Sequence, residues 1–344
     1  MASSTETAAM RRALELAALG PLGPNPRVGC VLLAADGRVV AEGHHRGAGT
    51  AHAEADALDH AGPAARGATA VVTLEPCNHT GRTGPCAQRL IEAGVRRVVF
   101  AQADPNPVAA GGAATLRAAG IDVESGVLAA ESRALNQVWS FALEHQRPHV
   151  TWKFAASLDG RSAAADGTSR WVSSTAARRD THLLRAQCDT MLVGTNTVAV
   201  DDPLLTVRDA EDRPLAHQPL RAVMGLRSLD ANRRIFDDSA ATVLLRTHDP
   251  REALGMLWER ERRHVFLEGG PTLAAAFLRA GLVDRIVAYV APMLLGAGRA
   301  AVADLGIATI GEALRPQVVD VTVLEPAPGE EPNVRLTLVP KEGH

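Results

Sequence analysis

Apolar residues along this chain alternate between helical spacing and short extended runs. Asp36-Gly37 stands between two such runs, and this dipeptide is typical of a hairpin turn. After the hairpin, helices and strands alternate, which predicts βαβ units in a three-layer α/β fold. The predicted helices cover residues 5–19, 50–60 and 86–93, the predicted strands cover 28–33, 38–42, 69–74 and 97–101, and a helix–strand pair ending near 123 precedes a helix from 129.

A second alternation starts after a polar stretch at residues 144–148, where Pro148 resets the pattern. We place a domain boundary there and predict two α/β domains, 1–147 and 148–344. No repeat of fixed period is present. In the second domain the predicted strands are 149–155, 190–194, 220–224, 242–245, 264–267, 285–290, 318–323 and 334–339, and the predicted helices are 175–186, 250–260 and 271–280.

Composition narrows the class of protein. The formal net charge of −3 gives no electrostatic support for a nucleic-acid partner. No apolar run reaches the roughly 18 residues of a membrane span, and the N-terminus lacks a secretory signal pattern. Four scattered cysteines are too few for a disulfide scaffold. We therefore expect a cytoplasmic enzyme that acts on a small molecule, without a nucleic-acid or membrane partner.

The first half carries a zinc signature. His52, Cys77 and Cys86 supply one imidazole and two thiolates, which leave a fourth zinc position for water, as in catalytic sites. Binding to zinc lowers the pKa of that water toward ~7. Glu54 follows His52 by two residues and is predicted to shuttle protons between the water, the ring nitrogen and departing ammonia. This is the logic of zinc nucleoside deaminases, whose signature is H-x-E followed by P-C-x-x-C.

The spacing of the two cysteines departs from that signature, because eight residues separate them instead of two. Pro85 and the helical pattern after it place Cys86 at a helix N-terminus, where a thiolate is stabilised. We interpret the longer spacing as a loop inserted between two ligands. The alternative is that the cysteines are unrelated core residues.

Four strings in the first half resemble the bacterial bifunctional riboflavin-biosynthesis deaminase/reductases: LGPNPRVGCVL, EGHHRGAGTAHAEADAL, LEPCNHTGRTGPC and DPNP. The resemblance implies a cytidine-deaminase-like domain that deaminates a diaminopyrimidinone ribosyl 5′-phosphate. It also implies that Asn25 contacts the pyrimidine and that His79 and Arg82 face the substrate. Asn25 between two prolines is also compatible with a simple turn, and Arg82 with a solvated loop charge.

In the second half, no GxGxxG follows a strand, so a Rossmann fingerprint is absent. The string HVFLEGGPTL instead predicts a strand, a glycine turn and a helix, and the amides around Gly270, Pro271 and Thr272 are candidates to hold a cofactor phosphate. The strings KFAASLDGR, GTSRW and VGTNTVAVDDPLLTVR resemble the reductase domain of the same family. That resemblance implies a dihydrofolate-reductase-like fold in which NADPH delivers hydride to C1′ of the ribosyl group.

Site residues in this domain are carried over from the resemblance by position. Asp201 is our preferred catalytic carboxylate, with Glu268 as the other candidate for steering protons or polarising the imine. The string Asp201-Asp202-Pro203 is also typical of a turn or helix cap, and Lys153 points either into the site or outward. The residues implied to face NADPH are Ala155, Trp171, Thr197, Asp201 and the turn from Gly270, and those implied to face the substrate are Ser169, Arg185, Leu205, Arg208 and Glu268.

The sequence therefore predicts a bifunctional enzyme that uses Zn²⁺ for deamination and then NADPH for reduction, and that forms a homo-oligomer as the family does. One alternative is a deaminase of bases in RNA or of nucleosides, with a C-terminal half that only binds or dimerises. The eight-residue spacing and the acidic net charge count against that alternative.

Overall fold

A computed structural model of the chain describes residues 1–79 and 84–341. The chain divides into two compact units, Met1–Gln146 and a second unit that begins at Arg147. Each unit has its own sheet, and the two sheets have five and eight strands in the described residues.

The N-terminal unit contains a mixed sheet in the order β2-β1-β3-β4-β5. β1 pairs antiparallel with β2 and β3, whereas β3, β4 and β5 run parallel. Its strands are β1 (Gly29–Leu33), β2 (Val39–His44), β3 (Thr69–Leu74), β4 (Arg97–Gln102) and β5 (Asp122–Ser125), and its helices are α1 (Ser4–Ala18), α2 (Ala53–Ala61), α3 (Cys86–Glu92), α4 (Gly112–Ala118), α5 (Ala129–Leu135) and α6 (Gln137–His145).

Both faces of this sheet are buried, so the unit has three layers. Val31 on β1 packs with α1, while its neighbours Cys30 and Leu32 pack with α2 on the opposite face. Ser3 starts α1 with a capping box, in which its side chain accepts from the Glu6 amide and the Glu6 carboxylate accepts from the Ser3 amide. The three-layer prediction is confirmed, and the turn at Gly37 adopts the positive φ that a glycine favours.

The second unit has an eight-stranded sheet in the order β12-β13-β11-β6-β10-β7-β8-β9. The six strands from β11 to β9 are parallel, and β13 and β12 continue antiparallel to one edge. The strands are β6 (His149–Ser157), β7 (Thr190–Gly194), β8 (Leu220–Met224), β9 (Thr242–Leu245), β10 (His264–Leu267), β11 (Arg285–Ala291), β12 (Gln317–Val323) and β13 (Val334–Val339), and the helices are α7 (Thr175–Arg185), α8 (Thr195–Asp201), α9 (Pro250–Trp258) and α10 (Pro271–Arg279).

β10 lies between β6 and β7, although it follows both in the chain. The strand order therefore reverses at β10. Open parallel sheets bind ligands at the carboxyl ends of the strands beside such a reversal. In this unit those are the ends of β6, β10 and β7. The loops and helix starts that follow these three strands carry most of the residues predicted for the second site.

Two features of the elements were not predicted. α8 follows β7 directly, and the helix predicted from residue 129 is in fact two helices separated at Asn136. Within residues 1–79 and 84–341, no helix is both long and apolar enough to cross a bilayer.

Candidate active sites

Three predicted metal ligands converge in the first unit. His52 Nδ1 lies 3.6 Å from Cys77 Sγ and 3.3 Å from Cys86 Sγ, and the three donor atoms all lie within 4.8 Å of one another. Zinc bonds of about 2.0–2.3 Å in a tetrahedron separate neighbouring ligand atoms by roughly 3.5 Å. The donor set and its spacing therefore fit a zinc ion with three protein ligands.

Each ligand stands shortly after a strand or at the start of a helix. His52 directly precedes α2, Cys77 follows the carboxyl end of β3, and Cys86 is the first residue of α3. The Cys86 amide donates to Cys77 Sγ over 3.4 Å. Hydrogen bonds from Cys86 and His52 lower the pKa of Cys77 to about 4, so this sulfur favours the thiolate that binds a metal.

Glu54 is buried in the first turn of α2, with only 4 % of its surface exposed. Burial, and then the negative charge of Cys77, raise its pKa to about 7. A carboxyl group with this pKa exchanges a proton readily at neutral pH, as a general acid and base must. The position and burial of Glu54 thus suit the proton shuttle predicted from the sequence.

Asn25 is hydrogen-bonded to a histidine that sequence reasoning did not single out. His45 Nδ1 donates to the Ala51 carbonyl over 3.0 Å, so its Nε2 accepts from Asn25 Nδ2 at 2.9 Å. Burial lowers the pKa of His45, which keeps this arrangement neutral. The His45 ring also lies edge-on to His52, with 5.5 Å between centroids. Asn25 is therefore linked through His45 to the metal-ligand cluster. The sequence signal for His45 was the HH pair that precedes the HAE string.

The loop after Cys77 is described only in part. Arg82 lies outside the described residues, while His79 is half-buried and its Nδ1 has no hydrogen-bond partner among those that are described. Asp104 was not predicted; burial raises its pKa to about 6, and the negative charges of Glu75 and Cys77 act in the same direction. Its place in the DPNP string was the only sequence signal.

In the second unit, an ion cluster forms around Glu268, just beyond the carboxyl end of β10. Arg185 on α7 donates to Glu268 Oε2 through Nε at 3.0 Å and Nη2 at 2.5 Å, and Lys153 Nζ on β6 lies 3.9 Å from Oε1. Burial raises the pKa of Glu268, but the two cations outweigh it and hold that pKa below its usual value. Lys153 therefore points toward Glu268 and not outward, and Arg185 is not a free surface charge.

Of the other residues predicted to face the substrate, some lie near this cluster and one does not. Arg185 Nη1 also donates to the Thr206 carbonyl at 3.3 Å, and Arg208 Nε donates to the Thr206 hydroxyl at 3.3 Å. Leu205 is buried in a left-handed backbone conformation, which turns the chain here. Ser169 is exposed and is not brought to the cluster by any contact within the described chain.

Residues predicted to face NADPH lie in β6 and in the segments that follow β6, β7 and β10. Trp171 is 64 % exposed with the Arg178 guanidinium 4.6 Å from its ring centre, so it is not a core residue. Gly270 starts α10, and a Cβ built there meets nothing within 4 Å. An open helix start suits a phosphate group, and an exposed aromatic ring suits a planar one. Thr197 and Asp201 lie on α8, and Ala155 lies on β6.

Comparisons with known proteins agree with this geometry. The model of the cytidine and deoxycytidylate deaminase zinc-binding region matches residues 3–102, and that of the RibD C-terminal domain matches residues 148–326. The riboflavin biosynthesis protein RibD of Mycobacterium tuberculosis is 52% identical over 309 residues, covering 89% of this chain and 90% of its own. That of Escherichia coli is 43% identical over 322 residues, covering 83% and 88%.

Solved structures give the same result for the fold. Acinetobacter baumannii RibD superposes with a TM-score of 0.87 at 38% identity, covering 98% of this chain and 99% of that one. The diaminohydroxyphosphoribosylaminopyrimidine deaminase/5-amino-6-(5-phosphoribosylamino)uracil reductase of Thermotoga maritima superposes with a TM-score of 0.85 at 31% identity, with the same coverage.

Proposed function

We propose a division of labour between two sites, from the premise that this chain belongs to the RibD family of riboflavin biosynthesis proteins. The chain is a bifunctional enzyme, a hydrolase and an oxidoreductase, with a zinc-binding deaminase domain and an NADPH-dependent reductase domain. The proposal assigns deamination to residues 1–147 and reduction to residues 148–344. Its support is the division of the fold near residue 146 and the separate cluster of functional groups in each unit.

The substrate of the first reaction is the 2,5-diamino-6-(5-phosphoribosylamino)pyrimidin-4(3H)-one that the name of the Thermotoga relative denotes. His52, Cys77 and Cys86 would hold the zinc ion, which as a Lewis acid would lower the pKa of a bound water molecule toward neutral. Glu54 accepts one proton from the attacking water and passes it to the ring nitrogen beside the reacting carbon. It then accepts the second proton, from the hydroxyl group formed on that carbon, and passes it to the leaving amine. Water is consumed, ammonia leaves, and the amino-bearing carbon becomes a carbonyl.

Binding of this substrate falls to residues that surround the metal ligands. Asn25 donates and accepts hydrogen bonds at the amide-like edge of the pyrimidine, and its contact with His45 fixes the amide. His79 and Arg82 hold the phosphate end of the substrate. The unpaired Nδ1 of His79, buried among described atoms, supports a polar ligand at that position.

The second reaction reduces the ribosyl group to a ribityl chain. NADPH would supply the hydride when bound. The residues that would contact it are Ala155, Trp171, Thr197, Asp201 and the helix start at Gly270, Pro271 and Thr272. Reduction of the C1′–N double bond adds a hydride to C1′ and a proton to the nitrogen. We assign delivery of that proton to Asp201. Ser169, Arg185, Leu205, Arg208 and Glu268 bind the substrate, whose phosphate requires cations such as those of Arg185 and Arg208.

Glu268 Oε1 supports this assignment in particular. It is buried, charged, and without a hydrogen-bond partner in the part of the chain that the structure describes. A buried acceptor of this kind lowers the free energy of binding for a ligand that donates to it, such as a sugar hydroxyl.

The enzyme acts on a small molecule, and we propose further that it works in the cytoplasm as a homo-oligomer, without nucleic-acid or membrane partners. The four cysteines are free, as expected in a reducing compartment. β12 forms one edge of the second sheet and exposes four valines by half or more of their surface, which supports a contact with a second copy. The exposed valines are Val318, Val319, Val321 and Val323.

The His52–Cys77–Cys86 cluster with buried Glu54 is the observation that carries the proposed function. Its test is a mass-spectrometric time course on the diaminopyrimidinone ribosyl phosphate, with and without NADPH. We expect the deaminated product to accumulate alone when NADPH is omitted and the ribityl product to appear when it is added. If zinc-replete protein forms neither product, the substrate assignment is wrong, and free nucleosides and RNA become the next substrates to test.

A further inference from the structure

The segment that carries Asn25 is poor in backbone donors. Pro24 and Pro26 lack an N–H group, and residues 21–28 belong to no helix or strand. Outside regular structure, a segment is held by the hydrogen bonds that its remaining backbone groups make to other parts of the chain. The partners of Pro24 and Arg27 therefore hold the backbone from which the Asn25 side chain projects, while His45 holds the amide itself.

Those partners lie where α5 ends and α6 begins. Asn136 Oδ1 accepts from the Arg27 amide at 2.9 Å, and Asn136 Nδ2 donates to the Arg27 carbonyl at 2.9 Å. Trp139 Nε1 donates to the Pro24 carbonyl at 3.1 Å, and Arg27 Nη2 donates to the Leu135 carbonyl at 2.7 Å. Hydrogen bonds thus hold the segment on both sides of Asn25.

The Asn136 side chain makes these contacts instead of capping its own helix. It occupies the N-cap position of α6, where asparagine is a preferred residue because its side chain accepts from a free helix amide. Here the side chain makes no such cap, and only 3 % of the residue is exposed. Both ends of a buried amide are committed to the backbone of a distant segment, which a role in local helix stability does not explain.

The same helices are anchored to the sheet, α5 to the strand β3 that leads to Cys77 and α6 to its neighbour β4. Ser132 Oγ on α5 donates to the Thr73 carbonyl at 2.6 Å, and Thr73 Oγ1 accepts from the Gly29 amide at 3.1 Å. On α6, Ser140 Oγ accepts from Gln102 Nε2 at 3.0 Å. A chain of hydrogen bonds therefore fixes the Asn25 segment relative to the strand whose end supplies a metal ligand.

We propose that Asn136 and Trp139 are positioning residues for deamination, which hold the Pro24–Arg27 segment so that Asn25 presents its amide to the pyrimidine. The inference rests on the role proposed above for Asn25. Both residues lie between the two stretches that the family models match. Pyrimidine recognition in this chain accordingly depends on helices outside the matched zinc-binding region.

The test measures deamination by full-length N136A and W139F, together with zinc content and with reduction of supplied deaminated substrate by the same samples. W139F removes the indole donor and keeps an aromatic ring in the core. We expect kcat/KM for deamination to fall about 10- to 100-fold, because small displacements of a substrate-orienting group have effects of that size. Zinc content and reduction should match the wild type.

Adding N136A to N25A should cause little further loss, since both changes act through one contact.

N333A is the matched control in the other unit. Asn333 is 1 % exposed and accepts from the Ser174 amide at 3.0 Å, so this variant also loses a buried amide. Its deamination should equal that of the wild type. The inference is overturned if N136A and W139F deaminate normally, if they lose zinc or reductase activity in parallel, or if the N25A and N136A losses multiply. Normal deamination by N25A itself would instead refute the role of Asn25, and the inference with it.

Discussion

Glu54 and Glu268 are both buried glutamates, one in each unit, yet their surroundings differ in charge. Glu54 stands beside two cysteines, and burial together with the charge of Cys77 raises its pKa to about 7. Glu268 stands between Arg185 and Lys153, whose positive charges outweigh burial and lower its pKa. Burial alone therefore does not decide the protonation state of a carboxyl group; the sign of the neighbouring charges does.

The difference assigns the two glutamates different work. A carboxyl group that is half-protonated near neutral pH can transfer protons, which deamination requires. A carboxylate that stays ionised between two cations is suited to orienting them and to accepting hydrogen bonds from a ligand. Each of the following changes tests one side of this comparison.

The largest expected effect is that of E54Q on deamination. The amide has nearly the same shape as the carboxyl group but transfers no proton, so we expect the rate to fall about 1,000-fold or more. Reduction of supplied deaminated substrate should be unchanged, as should zinc content. Steady-state assays of both reactions on one sample measure this, and E54Q with more than a tenth of the wild-type deamination rate would remove Glu54 from the mechanism.

His264 tests whether burial shifts the pKa of a group in the second unit as it does at Glu54, here with a smaller contribution in the same direction from the positive charge of Arg285. Burial lowers the pKa of His264 to about 4, while Thr151 and Gln187 hydrogen-bond its ring. The folded chain then binds fewer protons than the unfolded chain, so stability is lost as the pH falls from about 6.5 to about 4, by roughly 3 kcal/mol in total. H264Q should lose most of this pH dependence.

The measurement for His264 is urea unfolding at several pH values in that range. In a W139F background, the remaining tryptophan signal comes from Trp152, Trp171 and Trp258 of the second unit. An equally steep pH dependence in H264Q would show that another group is responsible.

E268Q tests the other side of the comparison. The substitution leaves Arg185 and Lys153 in a buried site without their counter-charge, and we expect kcat/KM for reduction to fall about 100-fold. Deamination should be unchanged. D284N is the matched control, because the Asp284 side chain is also mostly buried and paired with an arginine, at 2.7 Å from Arg147. Asp284 precedes β11 and so lies at the amino ends of the parallel strands, whereas Glu268 lies at their carboxyl ends. Equal losses of reductase activity in E268Q and D284N would contradict a specific role for Glu268.

The sequence was sufficient for most of the fold because the strands are short apolar runs between turn residues. β3, β7, β8, β9, β10 and β13 match their predicted limits. α8 was not predicted, since its string TNTVAV is rich in β-branched residues that favour strands. Burial of Val198 among the residues of β7 and β8 stabilises this helix, and that packing is a tertiary effect.

The meeting of His52, Cys77 and Cys86 could be predicted because these residues belong to short motifs with a known chemical logic. His45 could not, because its significance lies in contacts with Asn25 and Ala51 that only the fold creates. The direction of Lys153 was undecided for the same reason, since strand alternation does not say which face meets Glu268.

The smallest expected effect concerns Asp201 and its neighbour Asp202, for which the sequence did not separate a catalytic role from a capping one. In the structure Asp202 has the structural role: it ends α8 with a positive φ, and its carboxylate accepts from the Arg234 amide at 3.0 Å. The Asp201 carboxylate is exposed and has no hydrogen-bond partner within residues 1–79 and 84–341. We expect D201N to lower the rate of reduction about tenfold by removing a proton donor, and D202N to retain the rate of the wild-type enzyme. An unchanged rate in D201N would leave Glu268 with its two cations as the group that acts on the substrate.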